Sequence, residues 1–521
     1  MTEEIAVGDR ILSGTEKATV RYVGQVSGTK GEWIGVEWDD PNRGKHDGSH
    51  NGERYFTTSS GPTAGSFVRA HKIDRGICLA EGVRRRYGEV KGETAGVDED
   101  QLDRLRKEFN APFVQVVGFD KVNKQQSDFA KLRIVSLKNN GIFGLGKELD
   151  VGEWMPNVRE LDLSQNLIKN WKDVANIGTK LQKLRVLNVS GNKIPLEPSD
   201  LESIREAFAS NLKQLVMNEM KYSWKEISQI ASAIPNLQIL HISNNNITEI
   251  DSIPPGLLAN LKELDISENN LGDWNNILRF GDLKNLEILN VNTCGIKKIH
   301  FEENNLFPSL KFLQIIENAI DSWESIAKLN CLPITDLRVR SNPIMSTEKG
   351  ETCRQIIIAS IKSLKVLNGT EIFKTERYGA ELDYRKKFGL EYLQLIKEGK
   401  DLGPFYQKFP RYKEFIDLFG APEDYELVTN VDTSIKSNLI QVNVKCPDDP
   451  NFETKSKKIP RNMTVHKLRT LLQRLVKVKG HDLVLSYRSK DDPNVEVSLD
   501  NDLRELCFYS MIDGDTILVK W

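Results

Sequence analysis

Leu184-Arg-Val-Leu187-Asn-Val189-Ser-Gly-Asn192-Lys-Ile194 is the stretch on which the reading of the fold turns. Its apolar residues fall at the first, fourth and sixth positions, followed by an asparagine at the ninth and an aliphatic residue at the eleventh. The same frame reads through Leu132-Val135-Leu137-Asn140-Ile142 and Val158-Leu161-Leu163-Asn166-Ile168. A degenerate copy runs Leu212-Leu215-Met217-Met220. Further copies start at Leu237, Leu261, Leu286, Leu310 and Ile334, and a clipped last one is Leu364-Lys-Val-Leu367-Asn-Gly369. The repeat length is about 24–28 residues, the range of a stacked solenoid in which each unit is one supersecondary element.

Such a leucine-rich repeat supplies one short strand whose alternate residues turn inward, and one strand cannot bury its apolar face alone. Stacking therefore forms a continuous core over residues 131–370. Asn140, Asn166, Asn192, Asn245, Asn269, Asn318 and Asn342 are expected at the inner turn after each strand, where an amide can serve backbone groups the turn leaves unpaired. Cys294 takes that place in one repeat. Met220 breaks the pattern, so its turn is expected to be irregular.

Function must then lie between the leucines. The third positions, Ile134, Glu160, Val186, Gln214, Ile239, Glu263, Ile288, Phe312 and Asp336, are expected on the concave face, and five of these nine are apolar. An exposed apolar stripe points to a protein partner. Val186, Ile239, Ile288 and Phe312, with Arg338 and Arg340 at a basic end, are the candidate partner-binding residues. Self-covering by a neighbouring segment of the same chain is the alternative.

The flanks are different in kind. Residues 1–77 are glycine-rich with brief β patterns, Ala18-Thr-Val-Arg-Tyr-Val-Gly24 and Trp33-Ile-Gly-Val-Glu-Trp38, which predict a small barrel or sandwich. Gly44-Lys45-His46-Asp47-Gly48 forms a glycine-flanked loop, followed by Arg54-Tyr-Phe56 and Gly65-Ser-Phe67-Val-Arg69. In that order these motifs resemble the CAP-Gly family, with His46 where the family has asparagine. The resemblance implies binding of acidic C-terminal tails that end in an aromatic residue, notably the Glu-Glu-Tyr end of α-tubulin. Lys45 would attract the carboxylates, Trp33 and Phe67 would pack the terminal ring, and Arg69 would pair with a further carboxylate. Gly44, His46, Asp47 and Gly48 complete the expected tail-binding set.

Residues 78–130 form a connecting segment, where Leu102, Leu105 and Phe109 could make a small helix capping the first repeat. Residues 371–437 read as a charged helical cap over about 371–400 and then a polar linker. Residues 438–521 carry Ile440-Gln-Val-Asn-Val444, a helix through Leu468, Leu471, Leu472 and Leu475, then Asp482-Leu-Val-Leu-Ser-Tyr487 and Thr516-Ile-Leu-Val-Lys-Trp521, a pattern similar to the ubiquitin-like fold. The overall class is thus multidomain α/β and β.

The bulk numbers narrow the function. The 521 residues carry 72 basic and 74 acidic side chains, a formal charge of -2, so no bulk field favours nucleic acid or a membrane surface. No run of about 18 apolar residues is present, and the acidic first residues lack a secretory signal's apolar core. Six scattered cysteines without a C-x-x-C pair predict no metal site and a reducing compartment, the cytoplasm. Gly141-Ile-Phe-Gly-Leu-Gly146-Lys147 imitates a phosphate loop, but Glu148 replaces the magnesium-binding Ser/Thr. No catalytic constellation is apparent, no cofactor is expected, and an enzyme is disfavoured.

The three modules in this order, with His46 and the ending Phe508-Tyr509…Gly514-Asp515…Val519-Lys-Trp521, resemble the tubulin-specific chaperones, also called tubulin-folding cofactors. The resemblance implies capture of α-tubulin, action with tubulin cofactors C and D in assembling the αβ-tubulin heterodimer, and dissociation of the dimer with cofactor B. It also implies that GTP is hydrolysed in that pathway by β-tubulin, so no nucleotide site is needed here. The competing reading is a CAP-Gly scaffold that links proteins to the microtubule cytoskeleton.

Overall fold

The computed structural model describes residues 5–88, 127–146, 151–301, 306–423, 439–476, 483–490, 493, 496–509 and 511–521. They fall into two compact units, Met1–Pro422 and Glu423–Trp521.

The first unit is built on an eleven-stranded sheet. Its parallel strands are short, as in Glu160–Asp162, Val186–Asn188 and Glu263–Asp265, and the middle residue of each is buried while its neighbours are not. Pairing is in strict register, so Leu161, Leu187, Leu215, Leu240, Leu264, Leu289, Leu313 and Leu337 stack in one row. All eight are at most 1% exposed.

The inner asparagines behave as their spacing predicts. Asn269 Oδ1 accepts from Asn245 N at 2.9 Å and Ile247 N at 3.0 Å, while its Nδ2 donates to the Ile266 carbonyl at 2.8 Å and, one repeat back, to that of Ile242 at 3.0 Å. Asn166, Asn192, Asn245, Asn318 and Asn342 make the same reach into the preceding repeat. Cys294 substitutes with a longer S–H contact to the Ile266 carbonyl at 3.4 Å, and burial pushes its thiol pKa up to about 12. At Met220 the turn is flanked by two left-handed residues, Glu219 and Lys221, and Asn245 of the next repeat accepts from the Met220 N–H.

A second amide ladder was not legible in the consensus. Asn157, Asn211, Asn236, Asn260 and Asn285 each donate to a carbonyl of the preceding repeat: Ala130, Gln182, Ala209, Pro235 and Ala259. On the convex side, helices begin with a capped tryptophan. Asn170, Ser223, Asp273 and Ser322 cap the helices that start at Trp171, Trp224, Trp274 and Trp323. The cap satisfies a free N–H, and the first three indoles are buried in the core.

Helices close both ends of the solenoid. The helix Leu79–Tyr87 buries Leu79, Ala80 and Val83 in the same core and covers the first repeat. Leu102, Leu105 and Phe109, expected to do this, lie outside the described residues, as do Lys147 and Glu148. The C-terminal cap runs on through helices Gly403–Lys408 and Tyr412–Phe419, where a linker was expected. Phe405, Phe409, Tyr412 and Phe415 recur at helical spacing and are buried, a period masked by Pro404 and Pro410. Arg411, 4% exposed, ties this cap down through the Ala359 carbonyl at 2.6 Å and Glu381 at 2.9 Å. Positions 424–437 of the expected linker are outside the described residues.

The N-terminal domain is a four-stranded antiparallel sheet, Arg10–Ser13, Glu16–Gln25, Glu32–Trp38 and Gly65–Val68 in spatial order. It is seated on the first repeats. Ile77–Cys78 pairs with Ile142–Gly144, Asp9 meets Lys169 at 2.8 Å, Asp39 meets Lys193 at 3.0 Å, and Lys17 donates to Asn139 at 2.7 Å. Gly76 adopts φ +76°, and a Cβ there would strike the Gly141 carbonyl, so only glycine permits this approach.

Among the described residues, the second unit has five strands in the order Lys455–Pro460, Leu439–Lys445, Thr516–Lys520, Val484–Arg488, Glu496–Ser498, with Leu439–Lys445 and Thr516–Lys520 parallel. The helix Val465–Val476 packs Leu468 and Leu472 fully into its core, with Leu471 and Leu475 at the margin.

The asparagine ladder generates a stability prediction. Asn269→Ala removes partners from two buried N–H groups and from the carbonyls of Ile242, Ile266 and Ser267, so unfolding in urea should show a loss of about 3 kcal/mol or more. A loss below about 1 kcal/mol would show that the backbone relaxes around the gap.

Candidate functional site

The N-terminal groove is built on Gly35. A bulge between Val20 and Tyr22 puts Tyr22 opposite Gly35 across the strands, and Gly35 in turn pairs with Phe67. A Cβ on Gly35 would lie 2.5 Å from the Phe56 ring and 2.9 Å from Tyr22 Cβ. The missing side chain lets Phe56 and Tyr22 pack across the strand, and Phe67 becomes the hub of an aromatic wall. Its ring centroid is 5.0 Å from His46, 5.5 Å from Tyr55, 5.6 Å from Phe56, 6.2 Å from His50 and 6.3 Å from Tyr22. Phe56 is buried, while the others are half-exposed.

The loop 44–48 forms one lip of this wall. Lys45 and His46 donate their N–H groups to the Gly65 carbonyl at 2.8 and 3.2 Å, and Gly65 N returns a bond to His46 O at 2.7 Å. A Cβ on Gly44 would meet Thr63 O at 2.2 Å, and one on Gly48 would meet Phe56 O at 2.1 Å. Both glycines are demanded by packing inside the domain. Lys45 is exposed, and its ammonium has no ion pair among the described residues. Asp47, in contrast, is engaged: its carboxylate accepts from Ser49 N at 3.1 Å and pairs with Arg54 at 2.6 Å. Arg54 first, then Ser49, hold its pKa below the usual range.

His46 Nδ1 accepts from Gly48 N at 3.0 Å, which leaves the proton on Nε2. Burial lowers its pKa, with the His50 charge adding and Asp47 opposing. Glu37, 2% exposed, anchors the loop behind the groove through Ser59 N, Ser60 N and the Arg21 guanidinium. Burial alone would raise its pKa, but these donors outweigh burial and hold it at about 2.

Trp33 and Arg69 form the far side. The Arg69 guanidinium lies 3.6 Å from the centroid of the Trp33 ring and donates to the carbonyls of Glu32 at 2.8 Å and Lys30 at 2.7 Å. Trp33 Nε1 donates to Thr29 at 2.8 Å. Both terminal nitrogens of Arg69 are thus used to fold the loop 29–32 onto the indole.

On the concave face, the register sets Ile288 beside Phe312, whereas Gln214 separates Val186 from Ile239 and Glu263 separates Ile239 from Ile288. Only Ile134 stays largely exposed, at 59%; Val186, Ile239, Ile288 and Phe312 are half-buried among their neighbours. Arg338 lies 5.4 Å from the Phe312 ring centroid, and Arg340 donates to the Asn368 carbonyl at 3.0 Å. The apolar stripe is therefore shorter and more interrupted than the sequence suggests.

Comparison with known proteins agrees with this architecture. Family models match a CAP-Gly domain at residues 7–73, leucine-rich repeats at 235–279 and a ubiquitin-like domain at 439–520. Tubulin-specific chaperone E of Xenopus laevis is 40% identical over 98% of this chain and 98% of its own length. That of Homo sapiens is 39% identical over 99% and 98%. The chain belongs to the tubulin-specific chaperone E family. A solved ubiquitin-like domain of mouse tubulin-specific chaperone E is 43% identical over 16% of this chain and 87% of that one, with a TM-score of 0.15.

In this chaperone E relative, the loop of Lys45 and His46 borders the Phe67 wall, while Trp33, on the strand Glu32–Trp38, is stacked by Arg69 just beyond the strand Gly65–Val68. Gly44, Gly48 and Asp47 shape the lip from within. Four wall residues were missed as site candidates: Tyr22, His50, Tyr55 and the buried Phe56. Tyr22 and Tyr55 lie inside the quoted motifs, but strand alternation alone cannot show that a bulge turns Tyr22 onto the Gly35 gap.

His46 yields a pH prediction. Its folded-state pKa is below the unfolded value near 6.5, so its contribution to stability is whole above about pH 6.5 and is lost as pH falls through the lowered value. His46→Asn should flatten that part of the decline in thermal midpoint between about pH 7 and pH 5. An unchanged slope would assign it to other groups.

Proposed function

We propose that this chain is a tubulin-folding chaperone that captures α-tubulin by its acidic C-terminal tail and acts on the αβ-tubulin heterodimer. The observation that carries the reading is Lys45, an exposed cation without an ion pair among the described residues, on the lip of an aromatic groove. A terminal carboxylate beside Lys45 would gain a charge-assisted bond, and a terminal aromatic ring would pack against Phe67 and Tyr55. The seating of the N-terminal domain on the first repeats supports the next step. A tail held in the groove raises the local concentration of the tubulin body near the solenoid. The concave face, through Ile239, Ile288, Phe312 and Arg338, then takes the body, and the ubiquitin-like domain takes a further partner. Assembly of the heterodimer with tubulin cofactors C and D, and its dissociation with cofactor B, are the steps this arrangement would serve in the cytoplasm. The role is one of binding rather than turnover.

Lys45→Ala should weaken binding of a Glu-Glu-Tyr peptide about ten-fold in a fluorescence titration while leaving the melting temperature unchanged. Unchanged affinity would remove Lys45 from the site. Changing Ile239, Ile288 and Phe312 to polar residues should weaken capture of tubulin that lacks its tail, read by size exclusion. No effect there would move the body-binding surface elsewhere. Co-sedimentation separates the roles: a chaperone stays with soluble tubulin and reduces polymer, whereas a microtubule linker pellets with it.

A further inference from the structure

Between the first apolar residue and the strand of each of the first four repeats stand Arg133, Arg159, Arg185 and Lys213. The backbone sets them side by side. Arg159 N donates to the Arg133 carbonyl at 2.7 Å, Arg185 N to that of Arg159 at 2.7 Å, and Lys213 N to that of Arg185 at 2.8 Å. Strands in a sheet lie about 4.8 Å apart, so the four cations form a rail about 14 Å long at the edge of the concave sheet. The three arginines are exposed and the lysine is half-exposed. None of the four side chains has an ion pair or hydrogen bond among the described residues.

The run ends where the rail becomes neutralised. The next positions are Gln238, Lys262 and Glu287, and Glu287 pairs with Lys311 at 2.7 Å. Like charges on neighbouring strands are destabilising, and the backbone bonds that set this register need no charge on the side chains. A structural role would be met as well by glutamine.

We infer that the rail is a docking surface for an extended acidic segment of a partner polypeptide. The adjoining row decides for a peptide over a nucleic acid. It carries Ile134, Glu160, Val186 and Gln214 in register. Ile134 is 59% exposed, so one side of an extended peptide can place carboxylates on the rail while its other side sets apolar residues against Ile134 and Val186. The Glu160 carboxylate beside the rail opposes a continuous phosphate backbone, but a peptide can present a neutral residue there. This surface is separate from the groove at Lys45 and does not depend on its assignment.

The test is fluorescence anisotropy of the full chain with a labelled peptide of alternating glutamate and leucine, amidated at its C-terminus so that the groove finds no terminal carboxylate. Changing all four cations to glutamine should weaken binding at least about ten-fold, and Arg159→Glu alone about three-fold, with steep salt dependence in the parent chain. Lys45→Ala and Lys311→Gln should each stay within about two-fold. The inference is overturned if the four-fold variant binds as tightly as the parent, or if Lys45→Ala removes the binding. It is equally overturned if a polynucleotide of equal charge binds the same rail more tightly. Should the four-fold variant fail to fold, unchanged affinity in Arg159→Glu would overturn it alone.

Discussion

Each inner asparagine from Asn166 onward is shared between two repeats, and the register of the solenoid depends on that sharing. One amide donates to a carbonyl of the repeat behind it and accepts from N–H groups that the tight turn leaves free. Because these groups are buried, an unmet bond costs the full desolvation of the group, so neighbouring repeats cannot slip without several penalties at once. Strict register then aligns every other position. It stacks the leucines into the core, brings Ile288 against Phe312 and sets four cations in a row. The first repeat has no predecessor, and its turn at Asn139 and Gly141 is taken up by Lys17 and Gly76 of the N-terminal domain.

Charge in the N-terminal domain divides into what the fold consumes and what it leaves. Arg69, Asp47, Glu37 and Arg10 are all bound internally, the last to Asp39 at 2.5 Å. Lys45 keeps its ammonium in solvent. A loop that holds its own shape through Asp47 and Arg54 presents this one cation without reordering when a ligand arrives, which lowers the cost of binding. The aromatic wall behind it is similarly preset, since the rings pack on one another around Phe67.

The repeat frame, its asparagines and the motifs of the N-terminal domain could be read directly, because each reflects a local rule: a period, a turn, a strand pair. Other features could not. The cap beyond Lys400 is helical although two prolines interrupt it, since aromatic residues at helical spacing find a core only once the last repeat is in place. The concave apolar residues count as exposed in a one-dimensional pattern, yet in the sheet the long side chains of adjacent strands half cover Val186, Ile239, Ile288 and Phe312. Arg69 looks available in the motif and is folded onto Trp33.

By itself the sequence determined the solenoid, the two flanking folds and the unusual loop with His46, because hydrophobic period and turn chemistry act over a few residues. Only the tertiary structure decided which charges remain free, which apolar residues stay open, and that the N-terminal domain rests on the first repeats. Those properties belong to pairs of residues far apart in the chain, such as Asp9 with Lys169, Asp39 with Lys193 and Arg133 with Arg159. No local pattern records them; register and burial do.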